Sequence, residues 1–76
     1  MREEVRRILL DVLELDTISE TDTIDTVEKW DSVRHLKLVM AVEEHFGVAF
    51  EANEIFELSS LDAIVGAVSR RGAATA

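Results

Sequence analysis

A chain of 76 residues with no cysteine and no proline makes one small domain that must draw its stability from regular packing, because a disulfide framework and a cysteine zinc site are both excluded. Sixteen acidic against eight basic side chains leave a net charge of −8, which opposes nucleic acid and anionic membrane surfaces and suits a basic partner. No apolar run approaches the roughly 18 residues of a membrane span and the first residues lack a signal-peptide core, so the expectation is a cytoplasmic monomer with no membrane insertion and no nucleic acid.

Over residues 2–15, Val5, Ile8, Leu9, Val12 and Leu13 recur at i, i+3, i+4, i+7 and i+8, one apolar face of an amphipathic helix. Arg2, Glu3, Arg6, Arg7 and Glu14 read as its solvated face. Residues 16–31 show no sustained period, and a loop of that length in a compact domain must be used or pinned. Ile18, Ile24 and Val27 are its expected anchors. Six acids stand there against Lys29 alone, a net of −5. Because the D-x-D-x-D-G spacing of a calcium loop is absent, a solvated turn-rich connection is the simpler reading.

Asp31 is placed to accept backbone N–H bonds as an N-cap, and helical spacing from Val33 onward predicts a helix over Ser32–Phe46 that Gly47 stops. Leu38, Val39, Val42 and Phe46 form one apolar stripe; Val33, Leu36 and Met40 form a second beside it. Together they cover half the circumference or more, wider than one core-facing side requires, so the surplus needs an occupant. Ser32 falls in the first turn, among backbone N–H groups without intrahelical partners and at the positive end of the dipole, where a phosphate is favoured. Trp30 reads first as a loop anchor packed against the start of this helix, with a direct binding role as the alternative. Glu43 lies inside the apolar arc by angle, either at the border of core and partner face or reaching to water.

One or two helical turns are expected over residues 52–57, around Ile55 and Phe56. Ser60 is the expected N-cap of a last helix carrying Leu61, Ile64, Val65 and Val68, closed by Arg70, Arg71 and Gly72. The fold class that follows is all-α, a small helical bundle of three longer helices and one short one with a long acidic loop between the first two. The domain is expected over residues 1–71, with a disordered tail over 72–76.

Catalysis finds little support. Ser32 as a nucleophile would need His35, one turn along, as its base, and no G-x-S-x-G elbow is present; a histidine beside a helical apolar stripe is usually a packing residue. Glu43, Glu44 and His45 do not form H-E-x-x-H, and His35 and His45 are too far apart on one helix to share a metal. No catalytic and no metal residue is expected.

With Asp31-Ser32-Val33, the run from Leu38 through Glu43, Glu44 and His45 to Phe46, and the flanking helices in matching order, the chain resembles an acyl carrier protein of the fatty-acid and polyketide type over nearly its whole length. The resemblance implies that Ser32 Oγ, beside Asp31, accepts 4′-phosphopantetheine from coenzyme A through a separate phosphopantetheinyl transferase with magnesium. It implies a carrier, not an enzyme, with cargo held as a thioester. By the same resemblance Trp30, Val33, Arg34, Leu36, Lys37, Met40 and Glu43 are the partner and arm contacts for acyl-loading and acyl-processing enzymes. Phe46, Ile55 and Ile64, with Leu36 and Met40, are the candidates for a cargo pocket between helices. The chain departs from that pattern at Val33, where leucine is usual, and at Arg34 and Lys37, where fatty-acid carriers tend to be acidic. The last two weaken docking onto basic partners and turn the expectation toward a specialised pathway. An aminoacyl or hydroxyacyl carrier, and a helical adaptor that leaves Ser32 unmodified, are the alternatives.

Overall fold

A computed structural model of the chain describes residues 1–71, in four helices: α1 (Arg2–Leu13), α2 (Ser32–Phe46), α3 (Ala52–Ile55) and α4 (Leu61–Arg70). The tail expected over 72–76 lies outside the described residues. α1 buries Val5, Leu9 and Leu13, an i, i+4, i+8 ridge, against α2 and α4. α2 contributes Leu38, Val39 and Val42, and α4 contributes Leu61, Ile64, Ala67 and Val68. Connecting segments complete the core with Ile18, Trp30, Phe50 and Leu58. At about 1.5–3 kcal/mol for each large apolar side chain taken fully from water, this core is what offsets the chain entropy.

The helix ends follow from local chemistry. Arg34 N–H donates to Asp31 Oδ1 at 2.8 Å and Ala63 N–H donates to Ser60 Oγ at 3.1 Å, so both expected N-caps are made. Gly47, at φ 67°, carries the left-handed turn that ends α2 and that glycine adopts without steric cost. α1 stops two residues earlier than its apolar period suggests. Glu14 takes the left-handed conformation at φ 55°, Leu15 N–H returns to Leu10 O at 2.9 Å, and Lys29 Nζ donates to Glu14 O at 3.0 Å. α3 is a single turn with a capping box between Glu51 and Glu54, within the one or two turns expected.

The long loop is pinned rather than merely solvated. Ile18 is buried, with Ile24 and Val27 packed at the core's edge. Arg6, expected on a solvated face, donates Nη1–H to Ile18 O at 2.8 Å, and Arg2 reaches both Glu20 and Asp62. Within the loop, Asp22 accepts from Ser19 N–H at 2.9 Å and from the Thr26 hydroxyl at 3.3 Å. Ile24 N–H donates to Ser59 O at 2.9 Å, and Thr23 forms an isolated antiparallel bridge with Ser60. The loop thus crosses to the start of α4 before Trp30 leads into α2.

Candidate functional site around Ser32

The site begins with a cap. Asp31 is in extended conformation at φ −95°, so its carboxylate turns back over the first turn of α2. One oxygen takes the Arg34 amide and the other takes Arg34 Nη1–H at 3.2 Å. The Arg34 backbone N–H, and then the guanidinium, hold the Asp31 carboxyl below the usual carboxylate range. Ser32 is the first helical residue after this cap, and it is exposed.

Beside Ser32 opens an apolar cleft of about 340 Å³ lined by Ile24, Ser32, His35, Leu36 and Phe56. Its walls come from the long loop, the start of α2 and the turn after α3. Four large apolar side chains stand exposed in the described residues: Val33 at 64%, Leu36 at 53%, Met40 at 66% and Phe56 at 80%. Leu36 and Phe56 wall the cleft, while Val33 and Met40 continue the strip along α2. The surplus stripe read from the sequence is therefore a real exposed face, since only the Leu38, Val39 and Val42 arc enters the core.

His35 forms the floor of the cleft. Trp30 donates Nε1–H to His35 Nδ1 at 2.9 Å, and His35 Nε2 lies 2.6 Å from Ile55 O. An indole N–H can only donate and a carbonyl can only accept, so the ring is the tautomer with its proton on Nε2. Both nitrogens are committed, and His35 is 4% exposed. It is a structural link between the end of the long loop and α3, as expected of a packing histidine.

Several expected contacts fall elsewhere. Trp30, named among the partner contacts, is buried at 3% and offers no surface to a partner; its reading as a loop anchor is what the geometry supports. Glu43 accepts the Phe50 backbone N–H at 2.8 Å, which fixes the chain after α2 and takes its carboxylate away from the partner face. Ile64 is fully buried, and Phe46 and Ile55 pack against the core's edge, so none of the three lines the cleft. Ile24 and Phe56 hold those positions instead. Phe56, which the turns expected over residues 52–57 include, lies one residue past α3, where its exposed ring walls the cleft.

The charges of α2 run against its dipole. Arg34 lies in the first turn, no acid does, and Glu43 and Glu44 lie toward the last turn. Such placements oppose the helix by about 0.3–1 kcal/mol each at exposed ends. Arg34 recovers part of this through Asp31, whereas Lys37 is exposed and makes no ion pair among the described residues.

A second groove, about 530 Å³ and lined by Ile8, Ala41, Glu44 and His45, opens toward the other end of α2. Among the described residues no group of three or more His, Cys, Asp or Glu is placed to hold a metal, and no helix is long and apolar enough to cross a membrane.

Comparison with known proteins agrees with the site. The phosphopantetheine attachment site family matches residues 3–68. Polyketide-8 synthase acyl carrier protein 2 of Streptomyces avermitilis is 32% identical over 62 residues, covering 79% of this chain and 71% of that protein. No solved structure gives a significant match. A match across nearly all of α1 to α4, with a relative of this coverage, shows that the chain belongs to the phosphopantetheine attachment site family, among the acyl carrier proteins.

Proposed function

We propose that the chain is a non-catalytic cytoplasmic carrier that holds acyl intermediates on a 4′-phosphopantetheine arm at Ser32 and presents them to the enzymes of a specialised, polyketide-type pathway. The observation that carries this reading is the exposed Ser32 hydroxyl at the first position of an Asp-capped helix, at the mouth of an apolar cleft. A separate phosphopantetheinyl transferase must find that hydroxyl accessible, and it is. Bound there, the group supplies a terminal thiol that holds acyl cargo as a thioester.

The chain's own residues fit such a group. The helix start gives the phosphate a favourable field, and Arg34 places a cation beside Asp31 to balance a second negative charge. Val33, Leu36 and Met40 offer the apolar strip along which an arm lies, and Ile24 with Phe56 closes the cleft on the other side.

Incubation with coenzyme A and a broad-specificity transferase, followed by intact mass, tests the reading. The wild type gains one phosphopantetheinyl group; Ser32→Ala keeps its helical circular dichroism and gains none. Unmodified wild type, under conditions that load a control carrier, would refute the carrier reading in favour of an adaptor. A labelled Ser32→Ala would refute the site.

A further inference from the structure

The side chains around the Ser32 cleft offer no polar partner to a group that enters it. Ile24, Leu36 and Phe56 are apolar, His35 has both ring nitrogens bonded within the fold, and the Ser32 hydroxyl is itself the attachment point. A charged or hydrogen-bonding group pushed into this space would give up its water without replacement, whereas an apolar group of modest size suits a volume of about 340 Å³. The outer wall is Phe56, at 80% the most exposed of the large apolar side chains among the described residues. Its backbone is nevertheless fixed on both sides. The preceding Ile55 carbonyl accepts from His35 Nε2–H and from Leu58 N–H, and Leu58 is buried at 2%. An apolar wall held in position by the backbone yet left exposed has the form of a contact surface.

Connectivity names what meets it. In 4′-phosphopantetheine the phosphate leads through one ester oxygen and one methylene to a quaternary carbon that bears two methyl groups; a hydroxyl and two amides follow only beyond that carbon. The phosphate belongs outside, with the exposed Ser32 at the start of α2, so the first part of the arm able to enter the cleft is the apolar one. We propose that Ile24, Leu36 and Phe56 form a seat for the geminal methyl groups of the arm. The arm is thereby turned toward the long loop and the turn after α3 before its outer part runs on along α2. Its hydroxyl and amides, which the lining side chains cannot satisfy, stay in water, and the cargo thiol stays outside the cleft. This proposal rests on the carrier reading of Ser32. Two methyl groups taken from water favour the seated over the free arm by at most roughly tenfold, a resting position that a partner enzyme can displace.

The test uses the phosphopantetheinylated full chain, with loading read by intact mass, beside a sample loaded from a coenzyme A analogue that lacks both geminal methyls. Nuclear Overhauser contacts from the methyl protons are expected to reach the side chains of Ile24, Leu36 and Phe56. The ratio of seated to free arm, read from the shift changes of Ile24 and Phe56 on loading, is expected to fall roughly tenfold with the analogue. Phe56→Ser, at an exposed position, is expected to keep its helical circular dichroism and gain the same mass while losing most of the methyl contacts; Phe56→Leu is expected to keep them. Methyl groups that touch no protein side chain, contacts to Val33 and Met40 in place of Ile24 and Phe56, or contacts undiminished in Phe56→Ser would each overturn the proposal. So would a hexanoyl-loaded sample in which acyl protons replace the methyls against Ile24 and Phe56, which would make the cleft a cargo seat. A wild type that gains no mass would refute the carrier reading and the seat with it, whereas full loading without methyl contacts refutes the seat alone.

Discussion

Replacing His35 by leucine tests the link that joins the long loop to α3. The ring accepts from Trp30 Nε1–H at 2.9 Å and donates to Ile55 O across 2.6 Å, at a site only 4% exposed. Leucine has similar bulk but no polar atom, so the indole N–H is left buried without an acceptor. That orphaned donor costs about 1–3 kcal/mol, while Ile55 O keeps its bond from Leu58 N–H and loses less. The expected destabilisation is about 2–3 kcal/mol, against a total of about 4–11 kcal/mol for 76 residues at ordinary stability per residue. Urea unfolding followed by circular dichroism at the helix band measures it. The decisive comparison is Trp30→Phe with His35→Leu, which removes both partners and should recover at least about 1 kcal/mol relative to the sum of the single changes. A His35→Leu protein within about 0.5 kcal/mol of wild type, or strictly additive single and double variants, would refute the claim that this bond holds the site together.

Glu14→Gly should stabilise the fold by about 0.5–1 kcal/mol, because Glu14 holds the left-handed turn at φ 55° that ends α1; thermal unfolding reads the gain, and a loss would count against it. Glu43→Ala should cost about 1–2 kcal/mol by removing the acceptor of the Phe50 amide, with faster hydrogen exchange at Phe50 as the site-specific check. The Asp31 carboxyl is held below its ordinary range in the folded protein, so the folded state binds this proton less readily than the unfolded chain. Its contribution is therefore present above about pH 4 and is lost as pH falls through the folded value. Asp31→Asn, which retains a capping oxygen, should flatten that part of the acid dependence in a thermal unfolding series; an unchanged slope would refute the assignment.

Much of this architecture was open to reading from periodicity because helix burial repeats along the chain. Val5, Leu9 and Leu13, and the Leu38, Val39 and Val42 arc, are one-dimensional patterns, and so is the surplus face of Val33, Leu36 and Met40. The caps at Asp31 and Ser60 were legible for the same reason, since a capping side chain acts within three residues. What periodicity does not carry is partnership across the fold. Glu43 meets Phe50 N–H, His35 meets Ile55 O, and Arg2 meets Asp62 only after the helices have packed. Glu43 had a local reading as a border residue, His35 as a packing residue and Arg2 as part of a solvated face, and none of these names a partner. Phe56 was missed for a related reason, because a one-turn helix has too few residues for its apolar side to be assigned. The family resemblance pointed to Ser32 and the exposed strip together, and it placed the cargo pocket among Phe46, Ile55 and Ile64, which in this chain serve the core and its edge.

The bond between Trp30 and His35 also equips the molecule with an optical reporter. Trp30 is the only tryptophan in the chain, and its indole N–H is bonded to the ring that forms the floor of the Ser32 cleft and holds the α3 carbonyl. Anything that presses into the cleft or lifts α3 changes the polarity and hydrogen bonding felt by that one chromophore. A change of intrinsic emission is therefore the expected signal of anything that moves His35 or α3, with His35→Leu as the control whose signal is uncoupled from the site.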